Sequence, residues 1–183
     1  MDEPSATSNI YLARFDGNVW TALGSSRSGR GISDTTRYSF RPVVALDSQN
    51  RPVVAWYEDH GSTADVYVRR WDGAAWVEYG CSGHAGGVSA TGSAWRALSL
   101  VLDAGDQPIV AWENGGDEPS EILARRWDGA AWVGFHGAGF AGGVSNSCAG
   151  SYDPELVKVG ARICLSWSEL ADGTQQVLLR CTP

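Results

Sequence analysis

The chain has 183 residues, the size of one domain or of two small ones. Its net charge of −7 argues against a nucleic acid as partner, because phosphate backbones are bound by clustered positive charge. No apolar run is long enough for a membrane-spanning helix, and the four cysteines include no Cys-x-x-Cys pair, so a zinc site is not expected.

A repeat organises the whole chain. The segment Arg69–Val77 recurs unchanged 56 residues later as Arg125–Val133. A partly matching copy lies 56 residues earlier, at Arg14–Trp20. A period of this size is typical of stacked supersecondary units, none of which can bury its apolar face alone. We therefore divide this single region into parts at about 8–40, 41–96, 97–152 and 153–183.

The first part holds only the second half of a unit. Ile10–Ala13 predict a strand that we name C after its place in the complete unit, and Asn18–Leu23 predict the following strand D. Between them, Asp16 and Gly17 form the kind of pair that turns the chain tightly.

The second and third parts each predict four strands, named A to D. They lie at 42–47, 52–57, 65–71 and 75–79, and again at 98–103, 108–112, 121–127 and 131–135. Strands A and B are nearly continuous apolar runs, which indicates sheets covered on both faces. Short antiparallel strands that repeat in this way predict an all-β fold, a β-propeller with blades of four strands.

Tryptophan recurs at fixed places in the units, and each indole can bury a large apolar area. We expect these side chains to pack between blades and Trp71 and Trp127 to be largely buried as well. The recurring positions are Trp20, Trp56, Trp76, Trp112, Trp132 and Trp167.

The last part predicts strands A, B and C over residues 154–181 and no strand D. Its B and C strands flank Asp172-Gly173, a preferred pair for a two-residue hairpin turn. That turn places Cys164 opposite Cys181, within reach of a cross-strand disulfide. Two buried free thiols are the alternative.

The chain thus begins and ends inside a blade. Propellers usually close with four to eight blades, so three predict either a fragment or a ring completed by association. We expect a homo-oligomer in which strand D of one copy completes the open blade of the next, with a dimeric six-bladed ring favoured over a filament. The period also places the tryptophan of an earlier strand just before Met1, so we expect the natural protein to begin upstream, where a secretion signal could lie.

The connections from strand D to the next strand A are candidate binding loops. They keep a Gly-Val/Ile-Ser frame, whereas the position held by Ser28, His84 and Phe140 varies within it. A fixed scaffold with a variable loop position is typical of binding surfaces in repeat proteins. We take His84 and Phe140 as candidate ligand contacts, together with Arg30 from the most divergent copy.

Trp95 is a further candidate ligand contact. By the period its counterparts are Ser39 and Ser151, so a large aromatic side chain occurs in one unit only.

Other repeated polar residues are interpreted as structural. Arg14, Arg70 and Arg126 occupy the same place in every unit, and we expect each stem to pack on a tryptophan with its head paired to an aspartate. The aspartates of the Asp-Gly turns should accept backbone hydrogen bonds. Carboxylates after strand B, among them Glu58, Glu113, Asp117 and Glu118, are interpreted as a solvated rim. The A–B turns at Asp47 and Asp103 lack a full set of calcium ligands, so no cofactor is expected.

The C–D turn carries a resemblance to known propellers. Asp72-Gly73-Ala74-Ala75-Trp76 resembles a shortened Asp-box, the hairpin motif of sialidase-like propellers, and Arg126–Trp132 is similar to the blades of fucose-binding propeller lectins. Those lectins use a glutamate three residues before the first tryptophan, where this chain has Val68 and Ala124. The resemblance therefore implies a propeller, but the sugar site of these lectins is not carried over.

Three functions remain open. The near-identical blades and the lack of a catalytic constellation favour a secreted or cell-surface propeller that serves binding or assembly without catalysis. The alternatives are a carbohydrate-binding, lectin-like propeller and a fragment of a sialidase-like glycosidase. High glycine and tryptophan contents with a single lysine, Lys158, indicate an extracellular location.

Overall fold

The computed structural model describes residues 7–115, 119–135, 143–147 and 149–183, except for the side chains of Trp95 and Arg96. Within these residues the chain forms four antiparallel sheets and no α-helix. They therefore contain no helix long and apolar enough to cross a membrane. The predicted fold class, an all-β propeller with blades of four antiparallel strands, is confirmed.

Each sheet follows the chain in order, from strand to neighbouring strand. A half-blade consists of β1 (Arg14–Phe15) and β2 (Trp20–Thr21). The first complete blade consists of β3 (Tyr38–Leu46), β4 (Pro52–Asp59), β5 (Ala64–Trp71) and β6 (Trp76–Glu78). The second consists of β7 (Ala94–Leu102), β8 (Pro108–Asn114), β9 (Glu121–Trp127) and β10 (Trp132–Gly134). A three-stranded blade follows, with β11 (Ser151–Val159), β12 (Arg162–Ala171) and β13 (Thr174–Cys181).

Several predicted strand boundaries are wrong. Ile10 to Leu12 are not in a strand, and β1 begins only at Arg14. Strand A begins four residues earlier than predicted, because β3 passes through a bulge between Phe40 and Val43 and continues beyond it. The prolines and charges near such bulges break the apolar run on which the prediction rested.

The core lies between neighbouring blades. Strand β4 is buried from Pro52 to Glu58, because blades pack on both of its faces. The strand B tryptophans are almost fully buried at Trp56, Trp112 and Trp167, as predicted. Their burial accounts for the apolar, non-alternating pattern of these strands.

The tryptophans of strand D connect one blade to the preceding one. The indole N–H of Trp76 donates to the carbonyl of Leu23 at 2.9 Å, and that of Trp132 donates to the carbonyl of Tyr79 at 3.0 Å. Trp20, at the same place in the half-blade, is 62% exposed, so its predicted packing is wrong. It has no preceding blade in this structure to pack against.

Trp71 and Trp127 are only partly buried, in contrast to the prediction. Each ring lies against a glycine of the preceding blade, Gly24 or Gly80. One edge of the ring therefore remains open to solvent at the outer rim of the interface.

The Gly-Val/Ile-Ser frame crosses strand C in each unit. In the first complete blade, the N–H of Val88 donates to the carbonyl of Val66 at 2.7 Å, and the hydroxyl of Ser89 accepts the N–H of Val66 at 2.9 Å. Gly87 lies so close to this carbonyl that a Cβ atom there would overlap with it. The same contacts recur at Gly31–Ser33 and Gly143–Ser145. The frame is therefore a structural clamp that holds each connection in place.

A second repeated contact joins each connection to the following blade. The guanidinium groups of Arg69, Arg125 and Arg180 donate to the carbonyls of Ile32, Val88 and Val144, at 2.7, 2.6 and 2.7 Å. Arg69 and Arg125 directly precede Arg70 and Arg126, the arginines for which the repeat predicts a structural role. Arg70 packs on Tyr79, 5.3 Å from the ring centre, rather than on a tryptophan.

The turn aspartates have the predicted structural role. Oδ1 of Asp72 accepts the N–H groups of Ala74 and Ala75, and Asp16 and Asp128 do the same in their own turns. These backbone hydrogen bonds lower the pKa of all three carboxyl groups.

The last hairpin has the register that the sequence predicts. Strands β12 and β13 are joined at Asp172-Gly173, and Cys164 lies opposite Cys181. The two cysteines form a disulfide, with their Cα atoms 4.0 Å apart. Cys81 is an exposed free thiol, and Cys148 lies outside the described residues.

Candidate functional site

A polar cleft of about 610 Å³ lies between the half-blade and the first complete blade. The connection at residues 33–37 forms one wall, and the ends of β4 and β5 form the other. The following connection, at 83–86, borders its mouth. We call this the main cleft.

Glu58 is the buried carboxylate of the main cleft. It lies near the end of β4 and accepts a hydrogen bond from the hydroxyl of Thr35 at 3.2 Å. The guanidinium of Arg37 lies 3.8 Å from the same oxygen. Burial raises the pKa of Glu58, against the lowering effects of Thr35 and Arg37. The solvated rim predicted for this residue is therefore wrong, as it is for Glu113, which is fully buried on β8.

Tyr67 and His60 form a hydrogen-bonded pair beside Glu58. The phenol oxygen of Tyr67 is 3.0 Å from Nε2 of His60, which in turn is 3.8 Å from a carboxylate oxygen of Asp65. Burial raises the pKa of Tyr67 to about 12, and the negative charges of Glu58 and Asp65 add to this effect. The phenol therefore stays protonated at neutral pH and can donate to a neutral imidazole.

Asp65 is held by the clamp rather than free for a ligand. Its Oδ1 accepts the hydroxyl of Ser89 at 2.6 Å and the backbone N–H groups of Thr91 and Gly92, both at 3.0 Å. A carboxylate with three such donors is fixed in position, and its other oxygen lies 3.8 Å from Nε2 of His60.

His84, a predicted ligand contact, borders the mouth of the main cleft. Its Nδ1 is 2.6 Å from Oε2 of Glu78, whose other oxygen is 3.3 Å from the guanidinium of Arg69. The side chain of His84 is 61% exposed. It is thus held in place at one end and accessible to a ligand at the other.

The repeat separates what the fold requires from what this cleft adds. The clamp serine Ser89 and the arginine at position 69 have counterparts in the next unit, Ser145 and Arg125, which make the same contacts. Tyr67 is replaced there by leucine and His60 by small residues. The replacements are Leu123 and Leu178 for Tyr67, and Gly116 and Ala171 for His60.

The position of Glu58 has a mixed character. Asn114 and Glu169 replace it in the later blades, and each contacts a hydroxyl group, of Thr91 and of Ser151 respectively. A polar residue is therefore part of the scaffold in every blade, whereas the negative charge is kept by Glu169 and absent at Asn114.

A second cleft of about 450 Å³ lies on the other side of the connection. Asn9, Tyr11, Arg30 and Thr35 are among the residues that line it. It contains the candidate Arg30, and Thr35 borders both clefts.

The other two candidates are not placed at either cleft. Phe140 lies outside the described residues, as does the side chain of Trp95. The backbone of β7 nevertheless corrects the alignment of Trp95. Ser39 pairs with Glu58, Ala94 with Asn114 and Ser151 with Glu169. Ala94, and not Trp95, is therefore the counterpart of the two serines, because the bulge of β7 contains one residue more than the others.

Sequence reasoning missed Tyr67, His60 and Arg37, which form much of the main cleft. A usable signal was present, since Tyr67 departs from the leucine of the two later units. Arg37 lies in the segment between Thr35 and Tyr38. The corresponding segment before the second complete blade, between Thr91 and Ser93, is one residue shorter.

In the described part of the chain, no group of three or more metal-binding side chains comes together. The carboxylate of Asp47 is instead used by its own turn. It accepts the N–H groups of Gln49 and Arg51 at 2.9 and 2.8 Å and the side chain of Arg51 at 2.7 Å.

No family model matches the chain, and no curated protein matches its sequence. Among solved structures, it is similar to a fucose lectin from Kordia zhangzhouensis in complex with methyl-fucoside, with 15% identity and a TM-score of 0.46 over 76% of this chain and 92% of the lectin. An endo-arabinase from Bacteroides thetaiotaomicron matches at 16% identity and a TM-score of 0.47, over 90% of this chain and 61% of the enzyme. A Trypanosoma rangeli sialidase in complex with the inhibitor DANA matches at 16% identity and 0.48, over 91% of this chain and 25% of the sialidase. Scores and identities this low leave the ligand to be inferred from this chain's own residues.

Proposed function

We propose that this chain is a non-catalytic binding propeller and that its main cleft binds a small hydroxylated ligand, with a carbohydrate as the favoured class. One observation supports this above all. The main cleft carries Arg37, His60, Tyr67 and His84, although the later units build the same scaffold without these side chains. Polar groups that the fold does not need are most simply explained by a ligand.

The groups in the main cleft suit a polyol. Each sugar hydroxyl both donates and accepts, and neighbouring hydroxyls need alternating partners. Glu58 offers an acceptor and Arg37 offers donors. When Tyr67 donates to Nε2 of His60, the Nδ1–H of that ring can donate, and Nε2 of His84 is left for a ligand because Nδ1 contacts Glu78. A few convergent polar groups in a concave site are the usual means of fixing the orientation of a small ligand.

The carboxylates support binding rather than glycoside hydrolysis. Hydrolysis ordinarily needs two carboxyl groups that face the same bond, one as acid and one as base or nucleophile. Asp65 is held by three donors, and Glu78 is paired with Arg69 and His84. Glu58 and the exposed Asp34 are the carboxylates of the main cleft that lie outside these two networks, and Glu58 already accepts a hydrogen bond from Thr35 and lies beside Arg37.

The proposal predicts glycan binding that depends on Tyr67. On an array of mono- to hexasaccharides, the wild-type chain should bind at least one glycan, and Tyr67→Leu should weaken that binding about tenfold or more, because the phenol that orients His60 is lost. The variant should still fold, since leucine is native at this place in the later blades. Tyr38→Leu, outside both clefts, is the matched control.

Two outcomes would refute this proposal. One is equal binding by the wild type and the Tyr67→Leu variant, and the other is no glycan binding by the wild type. Repeating the array measurement in the presence of EDTA tests the expectation that no metal cofactor is needed, because calcium-dependent glycan binding would be lost in EDTA.

Glu58 provides a prediction about pH. Because burial raises its pKa, the ionised carboxylate is less favourable in the folded chain than in the unfolded one. At pH 7 this lowers the free energy of unfolding, and the penalty disappears once the pH falls below the unfolded value of 4.5. Glu58→Gln should therefore have an equal or higher Tm at pH 7, with no such gain near pH 4, while glycan binding at pH 7 falls about tenfold.

A Tm lowered by several degrees at pH 7 would contradict this account and make the charge of Glu58 structural. The amide of Asn114 in the next blade supports the expectation that an uncharged group fits at this position.

We also propose self-association, favoured by the exposed Trp20 and by the open edge of β13. Trp20 lacks the inter-blade hydrogen bond of Trp76 and Trp132, and Val177 and Leu179 on β13 are exposed. A second copy of the chain offers complementary blade surfaces. If a strand of one copy completed the open blade of the other, the segment around Ile10 would have to be displaced. The N–H and the carbonyl of Ile10 are both hydrogen-bonded in the first clamp, which opposes that displacement.

Light scattering should show a concentration-dependent dimer that Trp20→Ser weakens, with Tyr38→Ser as control. A monomer at all micromolar concentrations would contradict the proposal.

We propose an extracellular or cell-surface location. Disulfides such as Cys164–Cys181 persist in oxidising compartments and are rare in the cytosol.

A further inference from the structure

We infer that the ligand is an extended saccharide that runs from the main cleft across Thr35 into the second cleft, where it contacts Tyr11 and Arg30. This inference rests on the proposed function and adds the length and direction of the ligand. It assigns a binding role to the second cleft, which the first proposal does not use.

The two clefts share a wall that is held from both sides. Thr35 lines both of them. Its hydroxyl donates to Glu58 in the main cleft, while its backbone is hydrogen-bonded to the side chain of Asn9 in the second cleft. A ligand that leaves one cleft over Thr35 therefore enters the other directly, over a fixed surface.

The second cleft offers a ring surface for a sugar. Tyr11 is 53% exposed, and its hydroxyl donates to the carbonyl of Gly29 at 2.9 Å. The ring also lies close to Gly31, so its orientation is restrained before any ligand binds. A restrained aromatic ring provides contact area at little entropic cost, which suits the apolar face of a pyranose or furanose.

Polar groups surround this ring. Thr7, Ser8, Asn9 and Thr36 provide hydroxyl and amide groups, and the exposed Arg30 provides a cation with several donors. Such a lining can satisfy the hydroxyl groups of a second sugar unit.

The repeat explains why the two clefts are similar. Tyr11 lies one period before Tyr67, and Asn9 lies one period before Asp65. The side-chain amide of Asn9 lies 2.8 Å from the hydroxyl of Ser33, and the carboxylate of Asp65 lies 2.6 Å from the hydroxyl of Ser89. The two clefts thus use corresponding positions of strand C and the connection that follows it, in successive units, and a linear ligand that crosses Thr35 meets both.

The test is the dependence of affinity on ligand length. We would titrate the chain with xylo-, arabino-, cello- and galacturono-oligosaccharides of one, two, four and six units by calorimetry. In the series that binds, the wild-type Kd should fall at least about tenfold between the monosaccharide and the tetrasaccharide. Tyr11→Ala and Arg30→Ala should each remove most of this gain and leave monosaccharide binding unchanged. Tyr67→Leu should weaken binding at every length.

Phe15→Ala and Arg162→Ala are the matched controls, because both residues are exposed and lie outside the two clefts. They should behave as the wild type does. Equal affinity for all lengths, or the same loss in Tyr11→Ala for short and long saccharides, would overturn the extended site while leaving the main cleft intact. No binding at any length would overturn the proposed function and this inference together.

Discussion

Replacement of Trp112 by alanine is expected to lower the free energy of unfolding by about 3–5 kcal/mol. The side chain is 1% exposed and lies on strand B of the second blade, within the core that this blade shares with the first. Removal of the indole takes a large apolar area out of the interface and leaves a cavity that two rigid sheets cannot close. Chemical denaturation followed by tryptophan fluorescence and far-UV circular dichroism would measure the change.

Trp20→Ala is the matched control, since this tryptophan belongs to the same repeat but is largely exposed. It should cost less than about 1 kcal/mol under conditions where the chain is monomeric. If Trp112→Ala cost as little as this control, the packing of blade against blade described above would be wrong.

Gly87→Ala should be almost as damaging, at about 3 kcal/mol or more. Gly87 has a φ of +63°, a conformation that side chains rarely adopt, and an added Cβ would overlap with the carbonyl of Val66. That carbonyl accepts the N–H of Val88 in the clamp, so it cannot retreat without the loss of this hydrogen bond. Thermal unfolding and native-state hydrogen exchange at Val88 would measure the change.

Gly105→Ala is the control for this variant. An added Cβ there meets its nearest neighbours at 3.4 and 4.0 Å, which is ordinary contact, and Gly105 does not have a positive φ. It should be nearly neutral. A Gly87 variant as stable as the Gly105 variant would mean that the clamp yields easily and does not fix the cleft wall.

The clamp matters for function because it positions the walls of both clefts. Ser89 fixes Asp65, Asp65 faces His60, and His60 contacts Tyr67. The repeated residues, such as Ser89, thus form a rigid scaffold. The residues that differ from the repeat, such as His60 and Tyr67, are positioned by their contacts with that scaffold. This division offers a general way to search repeat proteins for binding sites.

Much of the fold could be predicted from the sequence because its causes are local. The 56-residue period, the apolar strands and the Asp-Gly turns indicate antiparallel blades without any alignment. The disulfide register follows from one turn, because two strands joined at Asp172-Gly173 can pair in only one way that satisfies a two-residue hairpin. The boundaries of strand A could not be predicted, because a bulge is invisible in the hydrophobic pattern.

The candidate site was predicted only in part. His84, at the variable loop position, borders the main cleft, and Arg30, from the most divergent connection, lines the second cleft; their role in binding stays a prediction. Glu58 was assigned to a solvated rim, because a carboxylate at a strand end has no local signal for burial.

By itself the sequence determined how many strands each blade has, the turns between them and their antiparallel order, since these depend on neighbours along the chain. Only the tertiary structure decided which blade faces which, that Arg69 reaches the carbonyl of Ile32, and that Trp20 remains exposed. It also decided that His60, Tyr67 and Glu58 meet residues 33–37 around one cleft. These contacts join residues more than twenty positions apart, and their energy comes from packing and hydrogen bonds between blades, which no local pattern encodes.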